Sequence, residues 1–201
     1  MSYFVPQIFV ICGPMKSGKS KELLIQLDKL RYSKIPYLLF KPNIDSRDQS
    51  KITSRYLEGH SEEAIDIDVH SPKDILRHID VNSISFPYYI VIDEAQFFDK
   101  SLIDLVVYLN SMGVSFIISG LDLDAQSKPF GPIPDLLSLA THVSKLTAVC
   151  EQCYSIATRS HLRTHDPEFS KNNIKIGDGE LYEVLCLKCY YAKFAVDNIE
   201  Q

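Results

Sequence analysis

The 201-residue chain has no apolar run near the ~20 residues that cross a bilayer, so no membrane span is expected. Its first residues, MSYFVPQIFVIC, lack the basic leader of a secretory signal and run straight into an apolar segment, so a cytoplasmic location is expected. Positive charge is in short supply. Lys and Arg number 21 against 26 Asp and Glu, a net charge of −5, whereas a surface that coats nucleic acid needs clustered basic side chains. Neither a nucleic-acid nor a membrane partner is therefore expected. Internal repeats and low-complexity tracts are absent too. With 45% hydrophobic and 23% charged residues, the composition excludes a disordered chain and leaves room for one good-sized domain with a small appendage.

Cysteine is sparse but patterned. Cys12 stands alone inside an apolar stretch, as a small buried side chain would. The other four form two pairs, Cys150-x-x-Cys153 and Cys186-x-x-Cys189. In a reducing compartment this spacing points to a tetrahedral thiolate site for structural Zn²⁺, with every ligand position filled and none open for water. Redox-active C-x-x-C pairs are the alternative, and they usually need a thioredoxin-like context that is missing here. The long loop between the pairs mixes apolar residues, glycines and one aromatic in IKIGDGELY. That suits a backbone-rich lid over a flat ligand, and equally an ordinary hairpin.

Residues 13–20 read GPMKSGKS, a full G-x-x-x-x-G-K-[ST] phosphate-loop signature between an apolar strand and a helical stretch. Gly13 and Gly18 let the backbone N–H groups of the loop (Met15, Lys16 and Ser17, with Pro14, which has none, setting the turn) face polyphosphate. Lys19 would reach the outer phosphates, and the Ser20 hydroxyl would ligate Mg²⁺. Lys16, Arg47 and Arg55 are candidates for further positive charge near phosphate. The YYIVID strand ends in Asp93-Glu94-Ala95-Gln96, and an acid at the carboxyl end of a buried parallel strand is where such enzymes hold Mg²⁺. Asp93 is the metal partner on this reading. Glu94 is free to act as a general base toward an attacking hydroxyl.

Periodicity predicts helices over residues 19–32, 71–78, 100–112 and 134–140, and strands over 8–12, 37–40, 88–93, 114–119 and 143–149. Residues 41–63 read as a long polar surface loop. Strands alternating with helices imply an α/β fold, with a mostly parallel sheet flanked by helices in a phosphate-loop domain (residues 1–149). A composition shift at Cys150 marks a small C-terminal zinc-binding lid domain (residues 150–201).

GPMKSGKS, DEAQFF (93–98), GLDLD (120–124), KPFGP (128–132), KLTAVCEQC (145–153), ATRS (157–160) and the closing C-x-x-C together resemble the zinc-containing type II thymidine kinase family, over residues 7–190. The resemblance implies transfer of the ATP γ-phosphoryl group to the 5′-hydroxyl of thymidine, with deoxyuridine a further acceptor. Glu94 would be the base, with residues 13–20, Asp93 and Gln96 at ATP and Cys150, Cys153, Cys186 and Cys189 on zinc. The base and sugar would be held by Met15, Phe97, Leu121, Phe130, Ser160 and Tyr182, and by backbone near Lys175, Ile176 and Gly177 in the lid. A homotetramer inhibited by dTTP is also implied. The chain departs from the family pattern twice, with Lys16 where an aromatic is usual and Ala125 where a Phe is frequent. Two rivals stand beside this reading. One is a nucleic-acid-dependent phosphate-loop ATPase with a zinc module, since DEAQ resembles a helicase box; the other is a non-catalytic nucleotide-binding regulator.

Overall fold

The computed structural model describes residues 4–44, 51–53, 61–80, 83–163 and 181–197. In chain order its first part comprises β1 (Ile8–Cys12), α1 (Lys19–Tyr32), β2 (Tyr37–Pro42), β3 (Lys51–Thr53), β4 (Ser61–Glu63), β5 (Ile65–Ile67), β6 (Tyr89–Ile92), α2 (Ser101–Ser111), β7 (Ser115–Gly120), α3 (Ile133–Leu139) and β8 (His142–Lys145). Six of these strands form one sheet in the order β5-β2-β6-β7-β1-β8, with every pairing parallel. A parallel sheet has both faces covered, so its central strands read as continuous apolar runs; all six residues of β7, SFIISG, are buried.

Alternation along the strands sorts residues between the two faces. Ile11, Val91 and Ile117 pack against Leu23, Leu24, Leu27 and Leu30 of α1. Their neighbours Val10, Ile90, Ile92, Phe116 and Ile118 share the opposite layer with Leu102, Leu105, Val106 and Leu109 of α2 and with Ile133 and Leu136 of α3. Burial of each such side chain contributes about 1.5–3 kcal/mol. Because the strands run parallel and in register, Cys12 opposite Gly120 and Ile92 opposite Ile118, the chain leaves β1, β6 and β7 at one edge of the sheet. The phosphate loop, Asp93-Glu94 and Leu121-Asp122 therefore converge there.

The second part contains β9 (Ala148–Val149), β10 (Ile156–Ala157), β11 (Arg159–Leu162), β12 (Tyr182–Leu185) and α4 (Leu187–Asp197). Two antiparallel pairs, β9–β10 and β11–β12, enclose a separate small core of Cys150, Ala157, Val184, Leu185, Cys186 and Tyr190.

Two local expectations change and one helix takes a tighter form. The span expected as featureless loop carries the antiparallel β3–β4 pair, followed directly by β5 at the sheet edge. The short helix expected over residues 71–78 is present, wound as a 3₁₀ helix over Pro72–His78. The strand expected over 143–149 breaks after Lys145. The Leu146 N–H donates to the Cys12 carbonyl at 2.8 Å, and Ala148–Val149 then pairs with Ile156–Ala157 instead of the main sheet.

Candidate active site

The phosphate loop leaves β1 at Gly13, whose φ of 144° and whose contacts both demand glycine. A Cβ there would lie 2.4 Å from the Leu146 carbonyl oxygen. Lys16 (φ 58°) and Gly18 (φ 89°) also take left-handed conformations, which fold the loop back before α1 starts at Lys19. Lys19 is buried, and its ammonium donates to the Pro14 carbonyl at 2.9 Å. Burial lowers its pKa, and the carboxylates of Glu94, Asp93 and Asp122 oppose that shift, Glu94 most strongly. Ser20 is the second residue of α1. The Ser17 Oγ is buried with no hydrogen-bond partner among the described residues. A loop of inward-turned backbone ahead of a helix N-terminus, with a buried ammonium inside it, has the chemistry of a polyphosphate cradle.

Asp93 follows β6. It is buried, its Oδ1 makes no hydrogen bond of good geometry among the described residues, and the Ser119 side chain beside it favours its charged form. Burial first, and then the charge of Glu94, push its carboxyl up to about 7. A buried carboxylate oxygen without a well-placed donor fits a cation, so the donor set of Asp93 and Ser20 suits Mg²⁺. Glu94 has φ 49° and ψ 38°, a left-handed conformation that costs a non-glycine residue about 1–3 kcal/mol and concentrates at functional sites. Gln96 holds it in place. The Gln96 Nε2 donates to Glu94 Oε2 at 2.5 Å, and its Oε1 accepts the Leu121 N–H at 3.0 Å. The Gln96 side chain, expected at ATP, is thus spent within the protein. Gly131 (φ 54°) lets the backbone pass over it, since a Cβ there would lie 2.1 Å from the Gln96 carbonyl oxygen.

Replacing Gln96 with leucine is expected to lower kcat about tenfold and to cost about 1–3 kcal/mol of stability, because the Leu121 N–H loses its acceptor and Glu94 its tether. Steady-state kinetics and thermal melts check both effects.

Asp122 was not picked out from the sequence. It is buried one residue beyond Leu121, with Lys145 Nζ 3.0 Å from its Oδ2, and it adds a third carboxylate to the field at Lys19. The signal existed. VSFIISGLD is an apolar strand ending in an acid, the same pattern that drew attention to YYIVID.

The remaining expected site residues fall into two groups. Phe97 and Phe130 meet edge to face with centroids 5.7 Å apart, and both are half-buried, as is Leu121. Met15 packs against the small C-terminal core, its N–H donating to the buried Ser160 Oγ at 2.9 Å. Tyr182 opens β12 opposite Leu162. Lys175, Ile176 and Gly177, together with Arg47 and Arg55, lie outside the described residues. Ala125 lends its carbonyl to the buried Tyr190, whose hydroxyl donates to it at 3.1 Å.

The four paired cysteines come together, their Sγ atoms all within 4.8 Å of one another. Four thiolates around a tetrahedral ion with bonds of about 2.3 Å would lie about 3.8 Å apart, so the cluster is a metal site of the right size. Cys150 and Cys153 sit on the turn joining β9 to β10, closed by the Cys150 N–H donating to Ser155 O at 2.8 Å. Cys186 and Cys189 sit at the start of α4. Hydrogen bonds from the Ser155 side chain and backbone lower the Cys153 thiol to about 6. Cys12, by contrast, is raised by burial to about 11.

Residues 6–190 match the family model described as thymidine kinase. The chain belongs to the thymidine kinase family. A thymidine kinase of Mycoplasma genitalium is 44% identical over 178 residues, which cover 88% of this chain and 79% of that protein. One from Ureaplasma parvum is 39% identical, with 89% and 80% covered. One from Bacteroides thetaiotaomicron is 37% identical, with 92% and 86% covered. Among solved structures, the genome packaging NTPase B204 of Sulfolobus turreted icosahedral virus 2 is similar with a TM-score of 0.47 and 18% identity, covering 83% of this chain and 81% of that one. That likeness is too slight to bear on function. The matched residues, 6–190, include the phosphate loop, the DEAQFF turn and the four-cysteine cluster. Among the described residues no helix is long and apolar enough to cross a membrane.

Proposed function

We propose that this protein is an ATP-dependent thymidine kinase of nucleotide salvage, moving the γ-phosphoryl group of ATP to the 5′-hydroxyl of thymidine, with deoxyuridine a further acceptor. The observation that carries this reading is the Glu94 carboxylate, held by Gln96 on a left-handed turn and foremost among the charges that act on the buried phosphate-loop ammonium of Lys19. A base in that position takes the proton of the 5′-hydroxyl as its oxygen attacks the γ-phosphorus, and ADP leaves. Lys19 and the loop N–H groups hold the β- and γ-phosphates and offset their charge. Ser20 and Asp93 would hold Mg²⁺, which supplies charge neutralisation across those phosphates. The thiolates of Cys150, Cys153, Cys186 and Cys189 would hold structural Zn²⁺.

Phe97, Phe130, Leu121 and Met15 would form the apolar walls of the nucleoside pocket. Ser160, Tyr182 and the backbone of Lys175, Ile176 and Gly177 would close it from the C-terminal domain, which is taken to begin at residue 150. Family resemblance also supports a cytoplasmic homotetramer restrained by dTTP. The test is an assay of ATP against a panel of deoxynucleosides and single-stranded DNA. Phosphorylation of thymidine, with purine deoxynucleosides inert, is the expected outcome. ATP hydrolysis stimulated by DNA, with no nucleoside phosphorylated, would overturn the reading in favour of a nucleic-acid-dependent ATPase.

A further inference from the structure

The phosphate-loop signature leaves its fourth position open, and here that position is Lys16. A lysine in such a loop is expected to face phosphate. Instead its ammonium donates to Glu151 Oε1 at 2.6 Å and to the Tyr182 carbonyl at 3.2 Å. Glu151 lies between the cluster cysteines Cys150 and Cys153, and its geometry is fixed from several sides. Its N–H donates to the Val184 carbonyl at 2.9 Å, its Oε1 accepts the Val184 N–H at 3.2 Å, and Arg163 pairs with its Oε2. Together with the Met15 N–H on Ser160 Oγ, two consecutive loop residues make three hydrogen bonds to the C-terminal module.

The ion pair is about one-third exposed on each side, 32% and 30%, so its contribution to global stability is small. Its effect is on geometry. Lys16 holds a left-handed φ of 58°, unfavourable for a residue with a Cβ, and it is anchored where the loop must present its N–H groups to phosphate. We propose that Lys16 is a positioning residue: through Glu151 it straps the phosphate loop to the four-cysteine module, so that the module sets the loop's affinity for nucleotide.

This rests on the nucleotide-binding reading above but not on turnover, and it is tested by binding of ADP. Wild-type affinity for ADP is measured first, and it separates failure of the nucleotide site from failure of the strap. Lys16→Met and Glu151→Gln are each expected to weaken ADP binding about three- to fivefold. The double variant should be no weaker than either single one, whereas independent effects would multiply to about 10–25-fold. Lys16→Arg, which keeps charge and reach, should restore most of the affinity. Raising the salt should weaken binding to wild type more than to either variant, by screening the pair. Melting temperatures should stay near that of wild type, since both side chains are at the surface. If Lys16→Met alone weakens binding while Glu151→Gln does not, Lys16 touches phosphate directly and the strap is wrong. Multiplying effects, or unchanged affinity in both single variants, also overturn it.

Discussion

Glu94→Gln is expected to lower kcat by about 10²–10⁴-fold while ADP and ATP still bind. Glutamine keeps the length and shape of the side chain, and its carbonyl oxygen still accepts from Gln96 Nε2, so the left-handed turn survives. What disappears is the lone pair basic enough to take the hydroxyl proton. The electrostatics give a second signature. The charge of Glu94 helps raise the Asp93 carboxyl to about 7; removing it lets Asp93 ionise at lower pH. Divalent-cation affinity in the variant should therefore hold or improve as turnover collapses. Single-turnover transfer, with nucleotide binding followed in parallel, checks both parts. Joint loss of binding and activity would make Glu94 a structural rather than a catalytic residue.

The second large effect concerns the cysteine cluster. Metal removal by a chelator, or Cys153→Ser, is expected to unfold the C-terminal module, because binding of structural zinc is worth about 10–16 kcal/mol in small domains. The module has little else to hold it. Cys150 and Cys186 are themselves two of the six buried residues of its core, beside Ala157, Val184, Leu185 and Tyr190. Cys153 is the informative position because it is exposed; serine there opens no buried cavity, and the loss is that of a ligand. Since Ser160 and Glu151 anchor the phosphate loop from this module, nucleotide affinity should fall together with thymidine turnover. Metal content read with a chromophoric chelator should be one zinc per chain, and circular dichroism should show the loss of structure on chelation. Full activity in verified zinc-free protein would end the structural-metal reading.

Much of the site was written locally. The phosphate loop lies in eight consecutive residues between an apolar strand and a helix, and DEAQ follows directly on another strand, so their chemistry could be read from chain order and spacing. The C-x-x-C pairs were legible for a related reason. Two thiolates on one tight turn are already half of a tetrahedral site, and a second such pair completes it. Even the meeting of phosphate loop and acid turn was foreseeable, because strands of a parallel sheet release their loops at a common edge.

Other features were decided by tertiary structure alone. Residues 41–63 look featureless because β3 and β4 are three residues each, too short for alternation to register. The bond from the Leu121 N–H to Gln96 Oε1, 25 positions away, could not be read from the sequence. Lys16 shows the division most clearly. Its sequence position predicted a cation facing phosphate, while its partners Glu151 and Tyr182 lie 135 and 166 residues on. Sequence by itself determined which groups this protein owns and which of them share a turn or a strand end. Folding determined which charges meet across the chain, because an ion pair depends on distance in space, and the chain order carries no record of that distance once a sheet and a metal-clamped module have folded between the two partners.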